Sequence, residues 1–198
     1  MLNKDLITGL ILAGGRGSRM GDVDKGLQVL NGAPMILHVI NRLAPQVGTL
    51  VINANRNLET YKQFGLPVCP DELSGFAGPL AGLQAGLLHC RTQYLATAPC
   101  DSPFLPTDLV ARLSGALTEQ DADLAVAVTG EGAGRQPHPV FCLLKTSLLP
   151  HLNLFLQSGK RRIDAWYASL KVAEVTFNDE AAFRNINTLE ELQQFDKQ

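Results

Sequence analysis

The sequence predicts an α/β protein in which helices cover both faces of a mostly parallel central sheet, a Rossmann-like three-layer α/β/α arrangement. Strand-like apolar segments alternate with helix-like segments between residues 6 and 128. This alternation is typical of parallel sheets whose crossovers are helical. The first apolar segment, residues 6–13, is almost continuous, as expected of a strand that is buried on both faces. The crossovers between parallel strands should be right-handed.

Further strands are predicted from short runs that are rich in apolar or β-branched residues. They lie at residues 49–55, 66–71, 94–101, 122–128, 140–144 and 171–177. The second and third of these runs end in Asp71 and Asp101. Because ligands of open α/β sheets bind beyond the carboxyl ends of the strands, these aspartates are candidate site residues.

Helices are predicted between the strands. They lie at residues 34–46, 57–64, 79–90, 106–117, 146–159 and 188–195. Pro34 suits the first turn of its helix, whereas Pro150 should kink the fifth helix or mark a fresh start within it. Thr188 and Glu191 form a capping box at the start of the last helix. Residues 130–139 are predicted to form a loop, and no repeat or linker interrupts the chain, so we expect a single domain over 1–198.

Composition and charge argue against several classes of function. The formal net charge of −2 gives no reason to expect nucleic acid or an anionic membrane as a partner. No apolar run approaches the roughly 20 residues of a transmembrane helix, and the N-terminal segment lacks the pattern of a signal peptide. The four cysteines form no CxxC pair, so we expect free thiols rather than a zinc site. A cytoplasmic protein is the expectation.

The first strand runs into a glycine-rich loop with three cations, LAGGRGSRMGDVDKG, at residues 12–26. The loop is not a P-loop, because Lys25 is followed by glycine rather than by serine or threonine. It also fails the GxGxxG dinucleotide pattern, because Met20 stands where the third glycine is required. Glycines let backbone N–H groups approach phosphate oxygens, and Arg19 and Lys25 could offset the charge of a triphosphate. The alternative is a solvated surface loop with ordinary cations.

This loop resembles the signature loop of nucleotidyltransferases that join a nucleoside triphosphate to a phosphorylated acceptor. The general form is LA(G/A)GxGxRM, followed by a lysine. Two glycines after the alanine, and DK before the next glycine, make the sequence similar to the molybdenum cofactor guanylyltransferases. Related sugar-nucleotide and cytidylyl enzymes usually have alanine at the position of Gly14. Asp22 departs from the pattern, since the family often has glycine there. The resemblance covers essentially the whole chain and implies the nucleotide-diphospho-sugar transferase-like form of the fold.

The resemblance implies a GTP site in the N-terminal part of the chain. Its predicted members are Leu12, Ala13, Gly14, Gly15, Lys25, Asn53, Asp71, Gly78 and Asp101. Asn53, in the segment VINAN, would lie near the guanine or the ribose. Asp71 opens the segment DELSGFAGPLAG and would accept hydrogen bonds from guanine. The alternatives are a turn-forming role for Asn53 and a turn-capping role for Asp71.

Catalysis is assigned by the same resemblance to Arg19, Lys25 and Asp101. Asp101 would also hold Mg²⁺, with Mn²⁺ as an alternative, because a single carboxylate at a strand end suits a hard cation that is bound to phosphate. The alternative for Asp101 is a cap of the helix predicted at 106–117.

The acceptor, molybdopterin, would be held mainly by the C-terminal part. The predicted contacts are His138, Arg161, Arg162, Asn185 and Asn187. Asn185 and Asn187 would face the same way if their segment is extended. The alternatives are a structural histidine, a solvated basic helix face, and loop asparagines ahead of the capped helix.

The implied reaction is transfer of GMP from GTP to the terminal phosphate of molybdenum-molybdopterin, with release of pyrophosphate. Expected partners are GTP, molybdenum-molybdopterin, other proteins of molybdenum cofactor synthesis, and molybdoenzyme apoproteins or their chaperones. Two alternatives remain open at this point. One is a cytidylyl or sugar-phosphate nucleotidyltransferase of the same fold, and the other is a nucleotide-binding module without catalysis.

Overall fold

The computed structural model describes residues 2–15, 23–72 and 78–195, and it centres on a seven-stranded sheet. In sheet order the strands are β5 (Val68–Cys69), β4 (Thr49–Asn53), β1 (Ile7–Leu12), β6 (Tyr94–Pro99), β8 (Gln136–Lys145), β7 (Leu124–Thr129) and β9 (Val172–Phe177). Of these seven strands β8 alone pairs antiparallel with its neighbours. The prediction of a mostly parallel sheet is confirmed.

Helices cover both faces of the sheet, as predicted. They are α1 (Met35–Leu43), α2 (Leu58–Lys62), α3 (Pro79–His89), α4 (Leu109–Glu119), α5 (Leu149–Gln157), α6 (Ile163–Tyr167) and α7 (Leu189–Phe195). Alternation along β1 separates two cores, since Ile7 and Ile11 pack with α1 and α4 whereas Leu10 packs with α3 and α5. In the part of the chain that is described, no helix is long and apolar enough to cross a membrane.

The second half departs from the sequence prediction in two places, the loop over 130–139 and an additional short helix. The prediction of a loop over 130–139 is wrong at its end, because β8 begins at Gln136. The prolines favoured a loop, but a register shift beside Val126 lets the strand continue past them. Of the two outcomes predicted for Pro150, the fresh start is confirmed, since a short 3₁₀ turn precedes α5 and the proline lies in its first turn. The short helix α6 was not predicted.

A two-stranded hairpin, also not predicted, follows the glycine-rich loop. Its strands are β2 (Val29–Leu30) and β3 (Ala33–Pro34). Asn31 and Gly32 both have positive φ, of 49° and 79°, as the tight turn between such strands requires. Helix α1 therefore begins at Met35, directly after the hairpin.

Two glycines bring α3 very close to the sheet. A Cβ atom on Gly86 would lie 2.3 Å from a methyl group of Leu10, and one on Gly82 would lie 2.6 Å from Leu12. Because these positions carry no side chain, the first turns of α3 lie directly against the end of β1. This approach forms one wall of the cleft described next.

Candidate active site

A cleft of about 610 Å³ lies beyond the carboxyl ends of β1, β4 and β6. It is lined by Leu12, Ala13, Gly14, Gly15, Asp24, Lys25, Asn53, Asp71, Gly78, Pro79, Gly82, Pro99, Cys100, Asp101, Val140 and Asn185. The structure thus brings together all nine residues that were predicted to bind GTP. The place of the cleft agrees with the general rule for ligands of open α/β sheets.

An ion pair joins two sides of the cleft. Lys25 opens a short 3₁₀ turn, and its Nζ donates to Asp101 Oδ2 at 3.1 Å and to Asn187 Oδ1 at 2.6 Å. The side chains of Lys25 and Asp101 are only 21% and 12% exposed, so solvent screens the pair less than it screens a surface pair. Asp101 does not cap α4, which begins at Leu109.

Asp101 is fixed by backbone contacts on both sides of the cleft. The N–H of Cys100 donates to the carbonyl of Leu12 at 3.1 Å, which extends the β1–β6 pairing by one residue. The carbonyl of Asp101 accepts from the N–H of Ile186 at 2.9 Å. The C-terminal segment is therefore attached directly to the strand end that carries the carboxylate.

Asn185 and Asn187 lie on the same side of that segment, as the alternating pattern predicted. Asn185 Oδ1 accepts from the buried hydroxyl of Ser102 at 2.6 Å, whereas Asn187 accepts from Lys25. Ile186, between them, is fully buried on the opposite side. The capping box is confirmed as well, since Glu191 N–H donates to Thr188 Oγ1 at 3.1 Å and Glu191 Oε2 accepts from the Thr188 N–H at 3.3 Å.

Two amides hold the carboxylate of Asp71. Asn53 Nδ2 donates to its Oδ1 at 2.9 Å, and Asn55 Nδ2 donates to its Oδ2 at 2.8 Å. Asn55 Oδ1 also accepts from the Asp71 N–H at 2.8 Å. Sequence reasoning named Asn53 and Asp71 but missed Asn55, although its place two residues beyond Asn53 was a usable signal. The orientation of Asp71 in the cleft is set by these three bonds.

Gly14 allows the loop backbone to lie against these amides. A Cβ atom there would lie 2.7 Å from Asn55 Nδ2 and 3.2 Å from Asn53 Oδ1. Gly82 faces Asn53 from the other side, where a Cβ atom would lie 2.4 Å from the same Oδ1. Asn53 is 2% exposed and is packed between two glycines, so a simple turn-forming role does not describe it.

His138 is not among the described residues that line the cleft. Its Nε2 is 2.8 Å from Thr129 Oγ1, and its ring stacks on Phe183 with a centroid distance of 4.7 Å. Burial lowers the pKa of His138, which favours a neutral ring at neutral pH. These contacts agree with the alternative of a structural histidine.

The two predicted acceptor arginines are also absent from the described lining of the cleft. Arg161 donates to the carbonyls of Leu156 and Lys160 at 2.7 Å, and Arg162 pairs with Asp164 two residues along the chain. Arg19, the remaining predicted catalytic residue, lies outside the described residues.

Asp101 offers the donor expected for a metal ion that is held mainly by substrate phosphates and water. Its Oδ2 accepts from Lys25, and its Oδ1 has no hydrogen bond to the described part of the chain. The described residues contain no cluster of three or more histidine, cysteine or acidic side chains suited to hold a metal ion. This donor set fits Mg²⁺, which keeps several waters and needs only one or two carboxylates.

The fold and the cleft define an α/β nucleotide-binding domain of the nucleotidyltransferase type. The family model described as MobA-like NTP transferase domain matches residues 9–173. A molybdenum cofactor guanylyltransferase from Bordetella petrii is 61% identical over 194 residues, which are 98% of this chain and 99% of that relative. Another from Ralstonia nicotianae is 61% identical over 193 residues, or 95% of each chain. The chain therefore belongs to the MobA-like NTP transferase family and, within it, to the molybdenum cofactor guanylyltransferases.

Solved structures confirm the fold. Molybdopterin-guanine dinucleotide biosynthesis protein A from Archaeoglobus fulgidus has a TM-score of 0.75 at 22% identity, covering 96% of this chain and 97% of that one. The 4-diphosphocytidyl-2C-methyl-D-erythritol synthase from Anaerococcus prevotii has a TM-score of 0.77 at 12% identity, covering 98% of both chains. At such identities the likeness concerns the fold alone.

Proposed function

We propose that this nucleotidyltransferase transfers GMP from GTP to the terminal phosphate of molybdenum-molybdopterin and releases pyrophosphate. The observation that carries the proposal is the Lys25–Asp101 pair, held at 3.1 Å in a cleft that also contains the Asn53–Asp71 contact. The first contact suits a triphosphate and the second suits a base. Relatives that are 61% identical over nearly their full length are named for this reaction.

The nucleotide would lie across the ends of β1 and β4. Gly14 and Gly15 would present backbone N–H groups to the phosphates, with Lys25 beside them as a point charge. Asp71, oriented by its two amides, would accept hydrogen bonds from the N1–H and the exocyclic amine of guanine. Cytosine lacks this pair of neighbouring donors, so the same carboxylate would favour GTP over CTP.

In the proposed reaction an oxygen of the acceptor phosphate attacks the α-phosphorus of GTP. A new P–O–P bond forms, the bond from the α-phosphorus to its bridging oxygen breaks, and the electron pair leaves with pyrophosphate. A phosphate monoester is largely ionised near neutral pH, so the site needs no strong general base. Catalysis then depends on positioning and on charge stabilisation, which Lys25 and the loop N–H groups would supply.

A divalent ion would be held by Asp101. When bound, Mg²⁺ or Mn²⁺ would supply positive charge to phosphate oxygens. The protein itself would keep the Asp101 carboxylate at the strand end, largely shielded from solvent, with one oxygen turned toward Lys25.

The acceptor would bind on the C-terminal side of the cleft. Asn185 lines the cleft and Asn187 contacts Lys25, so these two amides are the best supported acceptor residues. His138, Arg161 and Arg162 make other contacts. They would contact the acceptor only if it extends beyond the cleft. We also propose that the product passes by contact to other molybdenum cofactor proteins, apoenzymes or chaperones.

Pyrophosphate release tests the proposal. Purified protein is incubated with Mg²⁺ and molybdenum-loaded molybdopterin, with GTP or CTP in parallel. Release with GTP alone is the expected result. Release with CTP alone would contradict the proposed role of Asp71, and release with neither would contradict the proposed reaction.

A further inference from the structure

Tyr61 is fully buried, yet its hydroxyl reaches the chain beside Lys25. The ring lies on α2 within the core. Its hydroxyl donates to Asp24 Oδ1 at 2.5 Å, and Asn57 Nδ2 donates to Asp24 Oδ2 at 3.0 Å. Both oxygens of Asp24 are therefore held by α2 and the residue that precedes it.

The residue on the other side of Lys25 lies close to the same hydroxyl. A Cβ atom on Gly26 would lie 2.7 Å from the Tyr61 oxygen and 3.2 Å from Cys100 Sγ. Tyr61 thus bonds to the residue immediately before Lys25 and lies close to the residue immediately after it. Between these two contacts the lysine side chain leaves the backbone toward Asp101.

Asp24 would otherwise be an unfavourable residue in this position. It lines the cleft, where a carboxylate would repel a triphosphate. Neutral donors on both of its oxygens stabilise the carboxylate and give the acid a structural use. Burial raises the pKa of Tyr61, which keeps the hydroxyl protonated and able to donate.

We propose that Tyr61 is a positioning residue, which acts through Asp24 to hold Lys25 where it meets the phosphates of the nucleotide. The inference rests on the proposed function, since it assumes that Lys25 contacts a triphosphate. Tyr61 itself touches no substrate in this scheme. Its effect should therefore depend entirely on the presence of the Lys25 ammonium.

The test is a double-mutant cycle with Tyr61→Phe and Lys25→Ala. Tyr61→Phe keeps the buried ring and removes only the hydroxyl. We expect about 10-fold weaker GTP binding by calorimetry and about 10-fold lower kcat/KM for pyrophosphate release, the scale of one hydrogen bond to a charged group. In the Lys25→Ala background the same change should have no further effect.

Tyr94→Phe is the matched control. The Tyr94 hydroxyl makes no hydrogen bond to the described part of the chain and lies at the opposite end of β6 from Asp101. GTP binding and turnover should be unchanged. If Tyr61→Phe does not fold, Asp24→Asn tests the same link from a partly exposed position. Because it also removes a negative charge from the cleft, it should strengthen GTP binding in the Lys25→Ala background, whereas in the presence of Lys25 the lost positioning should offset that gain; an equal effect in both backgrounds would contradict the inference.

Three outcomes would overturn the inference. Wild-type affinity and turnover in Tyr61→Phe would do so, and so would an equal loss in both backgrounds, which would indicate a purely structural role. In either case a wild-type enzyme that binds GTP leaves the proposed function intact. A wild-type protein that binds neither GTP nor CTP and releases no pyrophosphate would remove the proposed function and the inference together.

Discussion

Replacing Asp71 with asparagine tests whether this residue selects the base of the nucleotide. The carboxylate accepts from Asn53 at 2.9 Å through one oxygen and from Asn55 at 2.8 Å through the other. Asparagine has a single oxygen, so its NH₂ group must face one of these two donors. The substitution therefore removes a charge and turns one acceptor into a donor, while the volume of the side chain hardly changes.

The expected loss follows from the hydrogen bonds to guanine. A hydrogen bond to a charged group contributes about 1.5–3 kcal/mol. Losing one such bond to the base should weaken GTP binding by about 10- to 100-fold. CTP gains nothing from this carboxylate in the proposed geometry, so its affinity should change little and the preference for GTP should shrink by the same factor.

Titration calorimetry with GTP and CTP, each in the presence of Mg²⁺, measures both affinities. Asp108→Asn serves as a control, because that carboxylate is 61% exposed and pairs only at 3.9 Å with Arg112. It should bind GTP like the wild type. If Asp71→Asn binds GTP and CTP with the same affinities as the wild type does, the argument that Asp71 recognises the base is refuted.

Three further predictions concern the ion pair, pH and packing. Lys25→Ala or Asp101→Ala should lower the rate of pyrophosphate release by about 100-fold or more, and near-normal turnover would remove that residue from the mechanism. Because burial lowers the pKa of His138, the unfolded chain binds more protons below about pH 6.5, so the free energy of unfolding should fall between pH 7 and pH 5. Urea unfolding should show a shallower fall in His138→Gln, and an equal slope would contradict this. Gly86→Ala, whose Cβ would lie 2.3 Å from a leucine methyl, should cost about 1–3 kcal/mol of stability. Gly115→Ala in α4, whose Cβ would meet only a glutamate oxygen at 3.9 Å, should stabilise by up to about 1 kcal/mol, and the reverse order in denaturant titrations would contradict the packing argument.

The sequence predicts the nucleotide side of the cleft well because that side is built from strand ends. Asp71 and Asp101 each follow a short apolar run, and parallel strands place such residues at one edge of the sheet. Lys25 was found by its resemblance to a known loop. Sequence spacing alone could not place it, because the distance between Lys25 and Asp101 depends on contacts between segments that are far apart in the sequence.

The C-terminal side was predicted less well, because its contacts join distant segments. Local patterns give no sign that β8 would enter the sheet antiparallel or that Ile186 would pair with Asp101. The Tyr61–Asp24 contact likewise could not be predicted from the sequence, since a tyrosine on a short helix is indistinguishable there from an ordinary core residue. A basic run such as Arg161–Arg162 is a candidate binding site in the sequence, but the fold determines where its side chains lie relative to the cleft.

The Lys25–Asp101 pair explains how one small cleft can receive a highly charged ligand. Two opposite charges held 3.1 Å apart nearly cancel, so this largely buried pair itself adds little net charge to the cleft. A triphosphate with its divalent ion is also a pair of opposite charges, and it can meet the lysine with phosphate oxygens and the aspartate with the cation. Removing one member leaves the other as an uncompensated charge in a poorly solvated place. Each single substitution therefore combines a lost contact with a new electrostatic cost. Its effect is larger than the contribution that the residue's own contact makes to binding.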